Sequence, residues 1–246
     1  RRIAYLCQAM GVRPYNILAM TFTNKAAKEM RSRLEATLGS ELDGIWLGTF
    51  HSACAKILRR EANDYLPFNA NFLITDADDQ VTLVRNILKE LNIDDKRNRP
   101  ASIHHAISQA KNQLILAEDY PATDRREAMV ARVYQRYQEL LAENNAVDFD
   151  DLLLWVVRLF EDYPELRSQY ARRFEHVLVD EFQDTNLAQY QLLMHLVSFH
   201  KNLFVVGDED QSIYRWRGAD YRNIQRFETD FPSTQKILLE QNYRST

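Results

Sequence analysis

Asp180 and Glu181 stand side by side at the end of a short apolar run, His176 to Val179, and Gln183 and Asp184 follow them. An aliphatic run that stops at acidic residues reads as a buried parallel strand ending at a working edge. In open α/β sheets ligands gather just outside such carboxyl ends. There Asp180 is a hard oxygen ligand for Mg²⁺, held through water and a bound triphosphate. Glu181 points elsewhere and is placed to orient or deprotonate an attacking water. A bare Asp-Glu pair is more often a solvated acidic turn; the longer string that follows it favours the chemical reading.

Four further strand ends carry polar, charged or aromatic residues: Thr21 to Lys25, Thr49 to Ser52, Gly207 to Gln211 and Gln241 to Arg244. Five such ends in one parallel sheet converge on one crevice. The most specific string is GDEDQSIYRWRGAD at 207–220. In it Gln211 is placed to report on a γ-phosphate, while Tyr214, Trp216 and Arg217 supply aromatic faces and a guanidinium. A base stacked on an aromatic ring contributes ~1–3 kcal/mol whatever the base, which suits a device that steps along any strand. Taken alone, Trp216 is as readily a half-buried packing residue; the arginines flanking it favour a ligand-facing loop.

The strings TFTNKAA (21–27), GTFHS (48–52), DEFQDTN (180–186), the run at 207–220 and QNYRST (241–246) together resemble boxes Ia, Ib/Ic, II, III and IV of the UvrD/PcrA/Rep-type superfamily 1 DNA helicases. They occur in family order, with a helical insertion between the second and third, and the resemblance covers essentially the whole chain. It implies an ATP-dependent helicase moving 3′ to 5′ on single-stranded DNA, with ATP and Mg²⁺ as cofactors. Carried over residue by residue, Asp180 holds the metal and Glu181 activates water. Gln211 and Arg244 contact the γ-phosphate, and Tyr243 stacks on adenine. Phe22, Asn24, His51, Tyr214, Trp216 and Arg217 face the DNA. Thr49 and Phe50 read equally well as structural residues, and Asp184 as a network partner. The implied partners are single-stranded DNA, single-/double-strand junctions and repair or replication proteins, with no membrane. A motor subunit of a repair nuclease and a non-enzymatic DNA-binding module remain the alternatives.

The departure from the family is the P-loop, Gly-x-x-x-x-Gly-Lys-Ser/Thr, which is absent. Gly39 to Gly44 has the spacing but continues into Ile45 and Trp46. The resemblance therefore implies an internal fragment that begins just after the P-loop, stops before the second motor domain and is inactive by itself.

The elements that must position these residues follow from periodicity. Residues 2–10 read as the end of a helix. Strands are expected at Asn16 to Phe22 and Ile45 to Phe50, with helices after them to Leu38 and from Ser52 to about Glu61. Helical stripes then cover Asp76 to Leu91, Ser102 to Leu116, Arg125 to Glu143 and Phe149 to Phe160, the last broken by Pro164. This gives about ninety residues without a strand. Alternation resumes with a strand before Asp180, a helix from Leu187 to Phe199, a strand at Asn202 to Val206, a helix at Asn223 to Phe227 and a strand at Lys236 to Glu240. The expected architecture is α/β: an incomplete RecA-like parallel-sheet motor domain (1–72 and 173–246) with an inserted all-helical domain (73–172).

Composition fits this reading. The chain is 46% hydrophobic and 27% charged, with no long apolar span and no amino-terminal signal pattern. Cys7 and Cys54, its two cysteines, sit in apolar helical patterns and suggest neither disulfide nor zinc, so a cytoplasmic setting is expected. The net charge of −4 hides an uneven distribution. Arg1, Arg2, Arg13, Lys25, Lys28, Arg31 and Arg33 face only Glu29 and Glu35 in the first 36 residues. A second basic group follows at Arg215, Arg217, Arg222 and Arg226, so a basic surface on a mildly acidic chain is open.

Overall fold

The computed structural model describes residues 1–208 and 222–238. Its first part alternates as the periodicity predicts: α1 (Arg2–Gln8), β1 (Ile17–Thr21), α2 (Asn24–Leu38), β2 (Trp46–Thr49) and α3 (Phe50–Tyr65). Every residue of β1 is buried, as expected of a strand covered on both faces. Threonines set both helix starts. The Thr23 hydroxyl accepts from the Ala26 amide, and that of Thr49 accepts from Ser52, each at 3.1 Å. The cap at Thr49 starts α3 at Phe50, two residues earlier than expected, and buried Cys54, Ile57, Leu58 and Ala62 carry it past Glu61.

The middle of the chain is helical. It holds β3 (Leu73–Ile74), α4 (Ala77–Glu90), α5 (Pro100–Asn112), α6 (Arg125–Glu143), β4 (Ala146–Val147), α7 (Phe149–Asp162) and α8 (Pro164–Arg173). Two features correct the sequence reading. β3 and β4 pair in parallel, so this region is not free of strands; two residues each are too few to leave a period. Pro164 does not only end a helix but starts α8, because proline at a first helical position removes an amide that has no partner anyway. Helices α4, α5 and α6 share a core of their own around Val84, Ile107, Val133 and Tyr137. Helices α7 and α8 instead join α3 and the sheet in the main core, through Leu153, Val157, Phe160 and Tyr170.

The chain then returns to the sheet with β5 (His176–Val179), α9 (Leu187–Leu196), β6 (Leu203–Val205) and α10 (Arg222–Asp230). The order is β2-β1-β5-β6, all parallel. Residues 236–238 of the strand expected at Lys236 to Glu240 belong to no strand, and Ile237 and Leu238 are exposed. Their pattern supplies propensity, but no described strand pairs with them. Among the described residues no helix is long and apolar enough to cross a membrane.

Candidate active site at the carboxyl edge of the sheet

Register decides which residues meet. Thr21 lies opposite Thr49, Met20 opposite Val179 and Val179 opposite Val205, so four strand ends align in one row. The Asp180 amide donates to the Met20 carbonyl at 3.0 Å, and the Phe182 amide to that of Val206 at 2.9 Å. These bonds fix the acidic turn to its neighbours on both sides. Asp180 is half-buried, and burial followed by the charge of Glu181 pushes its carboxyl above the usual range. Glu181 is exposed and has φ 54, a left-handed conformation uncommon outside glycine and asparagine.

Gln183 holds this strained residue. Its Nε2 donates to Glu181 Oε2 at 2.8 Å, and its Oε1 accepts from the Asp208 amide at 3.1 Å. One buried amide thus ties the Glu181 carboxylate to the loop that leaves β6. Gly207 permits the contact: a Cβ there would meet Gln183 Oε1 at 2.7 Å. The buried Asp184 carboxyl is raised by burial and by Glu181, and its Oδ1 has no hydrogen-bond partner.

Crowded carboxylates and an unpartnered buried oxygen are the surroundings a divalent cation relieves. No three His, Cys, Asp or Glu side chains among the described residues make a closed metal cage. Mg²⁺ in general binds through one or two carboxylates and takes its other ligands from water and phosphates. A cavity of about 740 Å³ opens beside Asp180, between α1, α2 and the β1, β5 and β6 strands. Its size is that of a small-molecule site.

The DNA-facing candidates of the first two boxes sit on the same edge. Phe22 is half-buried, with its ring centroid 5.4 Å from that of Phe50. Asn24 is exposed at the start of α2. His51, in the first turn of α3, packs edge-on against Phe149 at 5.8 Å. Burial pushes its imidazole pKa down, so at neutral pH it offers a neutral ring rather than a cation. Gln211, Tyr214, Trp216, Arg217, Tyr243 and Arg244 lie outside the described residues. So does the whole QNYRST string, residues 241–246.

A profile of the UvrD/REP helicase N-terminal domain matches residues 1–232. The chain belongs to the UvrD/REP helicase N-terminal domain family. It is 52% identical over 247 aligned positions to the ATP-dependent DNA helicase PcrA of Staphylococcus epidermidis, covering all of this chain and 34% of that protein. It is 51% identical to the PcrA helicases of Bacillus subtilis and Staphylococcus aureus, again over its whole length and 33% and 34% of theirs. The chain thus spans about a third of the relatives it matches.

Within this UvrD/REP domain, sequence reading missed two features of the site. Gln183 was seen only as part of a string, yet it carries the contact between two strand ends. The second is a chain of amides behind the acidic turn. Asn186 caps α9, its Nδ2 donates to Asn112 Oδ1 on α5, and Asn112 donates to Asp150 Oδ1 at 3.0 Å. Asn223 on α10 donates to the Thr185 and Asn186 carbonyls at 2.9 and 3.1 Å. Only the asparagine after Asp184-Thr185 carried any signal, as a helix cap.

Proposed function

We propose that the chain is the nucleotide-binding and strand-contacting portion of an ATP-dependent DNA helicase that uses ATP and Mg²⁺ to move along single-stranded DNA. Direction 3′ to 5′, unwinding at single-/double-strand junctions, contacts with repair or replication proteins and a cytoplasmic setting belong to the same reading. So does the architecture: a RecA-like motor domain at 1–72 and 173–246 around a helical insertion at 73–172. The separate core of α4 to α6 supports the insertion, while α7 and α8 tie it to the sheet.

The observation that carries this reading is the junction at Gln183, where one side chain grips both the Glu181 carboxylate and the loop leading to Gln211 and Trp216. Asp180 is the metal-facing carboxylate at the strand end. When bound, Mg²⁺ neutralises phosphate charge and orients the group that is transferred. Glu181, held by its bond from Gln183, takes a proton from the attacking water, so that the two acids divide the work. Gln211 and Arg244 answer to the γ-phosphate and Tyr243 stacks on adenine. Phe22, Asn24 and His51 meet the strand together with Tyr214, Trp216 and Arg217.

In the full-length protein, Glu181→Gln is expected to retain nucleotide binding and lower ATP turnover at least 100-fold, the usual range for a general base. Turnover close to wild type would show that Glu181 is not the base.

A further inference from the structure

We propose that Lys56, Arg60 and Arg173, gathered around Trp46 at the outer edge of β2, form with Arg31 of α2 a site for the backbone phosphates of a nucleic-acid strand. Around one indole ring lie the Lys56 Nζ at 4.1 Å, the Arg173 guanidinium at 4.9 Å and that of Arg60 at 5.0 Å from its centroid. Arg31 joins them from α2, with a guanidinium nitrogen 3.4 Å from the Leu47 carbonyl.

None of the four forms an ion pair with a described residue. The Glu61 carboxylate, on the same helix as Lys56 and Arg60, is engaged at 2.6 Å by the Tyr170 hydroxyl. The Arg173 Nε is buried and has no hydrogen-bond partner. The group is electrostatically strained: burial and then Arg60, Arg173 and Arg31 hold the Lys56 ammonium below its usual pKa. Burial and then Arg60 do the same to Arg173. Like charges held together with no ion-pair partner among the described residues gain most from an arriving anion.

The surroundings select the kind of anion. Arg31, Lys56 and Arg60 are exposed and reachable, while Trp46 is only 4% exposed. The ring therefore positions cations and offers no face to a base and no apolar anchor to a peptide. Such a site reads phosphate without sequence. Position adds continuity. β2 is an edge strand of the described sheet and runs from Trp46 to Thr49, about 10 Å at the rise of a strand, to the carboxyl ends where Phe22 and His51 stand. A single strand crossing that edge reaches the cation group within a few nucleotides. The inference thus rests on the DNA-binding reading and lengthens its track around the rim of the sheet.

The test uses the full-length protein and oligothymidylates of about 8 and about 20 nucleotides, with binding followed by fluorescence anisotropy across a salt series. For Lys56→Gln/Arg60→Gln we expect affinity for the long oligonucleotide to fall roughly tenfold and its log–log salt slope to flatten by about 1.4, about 0.7 per lost phosphate contact. The short oligonucleotide should bind as before. The charge-keeping pair Lys56→Arg/Arg60→Lys should match wild type, which separates charge from packing. Equal binding of the neutral variant and wild type at both lengths overturns the site alone. Loss of polyglutamate binding in the neutral variant, with DNA binding untouched, overturns it in favour of an acidic peptide. Wild-type protein that binds neither oligonucleotide overturns the DNA reading and the site with it.

Discussion

At the scale of single residues, Gln183 and Gly207 depend on each other. The glutamine fits against backbone that a Cβ at 207 would block, and its two bonds set where Glu181 points. Gly207→Ala is therefore expected to lower ATP turnover of the full-length protein about tenfold, at a stability cost near the ~1 kcal/mol of one hydrogen bond. Turnover and melting temperature measured together check this; an unchanged rate would mean that Glu181 does not need the glutamine. His195 gives a separate residue-scale expectation. Its Nε2 is buried without a partner, and burial, followed by the charge of Arg167, pushes its imidazole down to about 4. The unfolded histidine titrates near 6.5. The unfolded chain therefore binds the extra proton between about pH 6.5 and 4, so stability falls as pH falls through that window and is fully present above it. Replacing His195 by phenylalanine should remove this contribution, giving a shallower loss of unfolding free energy between pH 6.5 and 4 than wild type in urea titrations. Parallel curves would exclude His195 as a source of the acid sensitivity.

At the scale of elements, α5 and α7 are joined by a buried charge cluster. Lys111 is fully buried, 2.6 Å from Asp148 and 2.8 Å from Asp151, the two acids that form the capping box of α7. The Tyr137 hydroxyl donates to Asp148 at 3.0 Å. Burial alone would neutralise all of these groups. The lysine holds the Asp148 carboxyl below its usual range, while burial and then the charge of Asp148 push Asp151 up to about 6. Removing the cation leaves two acids buried together. Lys111→Met is expected to destabilise the protein by ~3–5 kcal/mol, the cost of breaking a buried pair from one side. Chemical denaturation measures it, and a loss under ~1 kcal/mol would show that water or protonation compensates. The cluster also bears on the site, because the residue after Lys111 is Asn112, which meets Asn186 behind the acidic turn.

At the scale of the whole molecule, the 246 residues carry the acidic strand end and part of the edge proposed to face DNA but no P-loop sequence. Phosphoryl transfer is catalysed mainly by positioning and charge stabilisation, and the P-loop amides and lysine supply much of both. The purified chain is thus expected to show no ATPase above a Glu181→Gln control, and weak, salt-sensitive binding to single strands. DNA-stimulated hydrolysis that the control lacks would overturn this account of the site.

The sequence by itself determined the alternation of strands and helices around β1 and β5, the helical stripes between them and the string in which Asp180 and Glu181 lie. Each of these is written in local order, as an apolar period, a capping residue or a run of fixed spacing. The same local logic failed at β3 and β4, too short to show a period, and at Lys236 to Leu238, where propensity met no partner among the described strands. Only the tertiary structure decided that Gln183 reaches the Asp208 amide, that Asn112 meets Asn186 and that Lys56, Arg60 and Arg173 crowd one tryptophan. These contacts join residues from separate elements. They depend on sheet order and register, which arise when the core closes and leave no mark on any single stretch of chain.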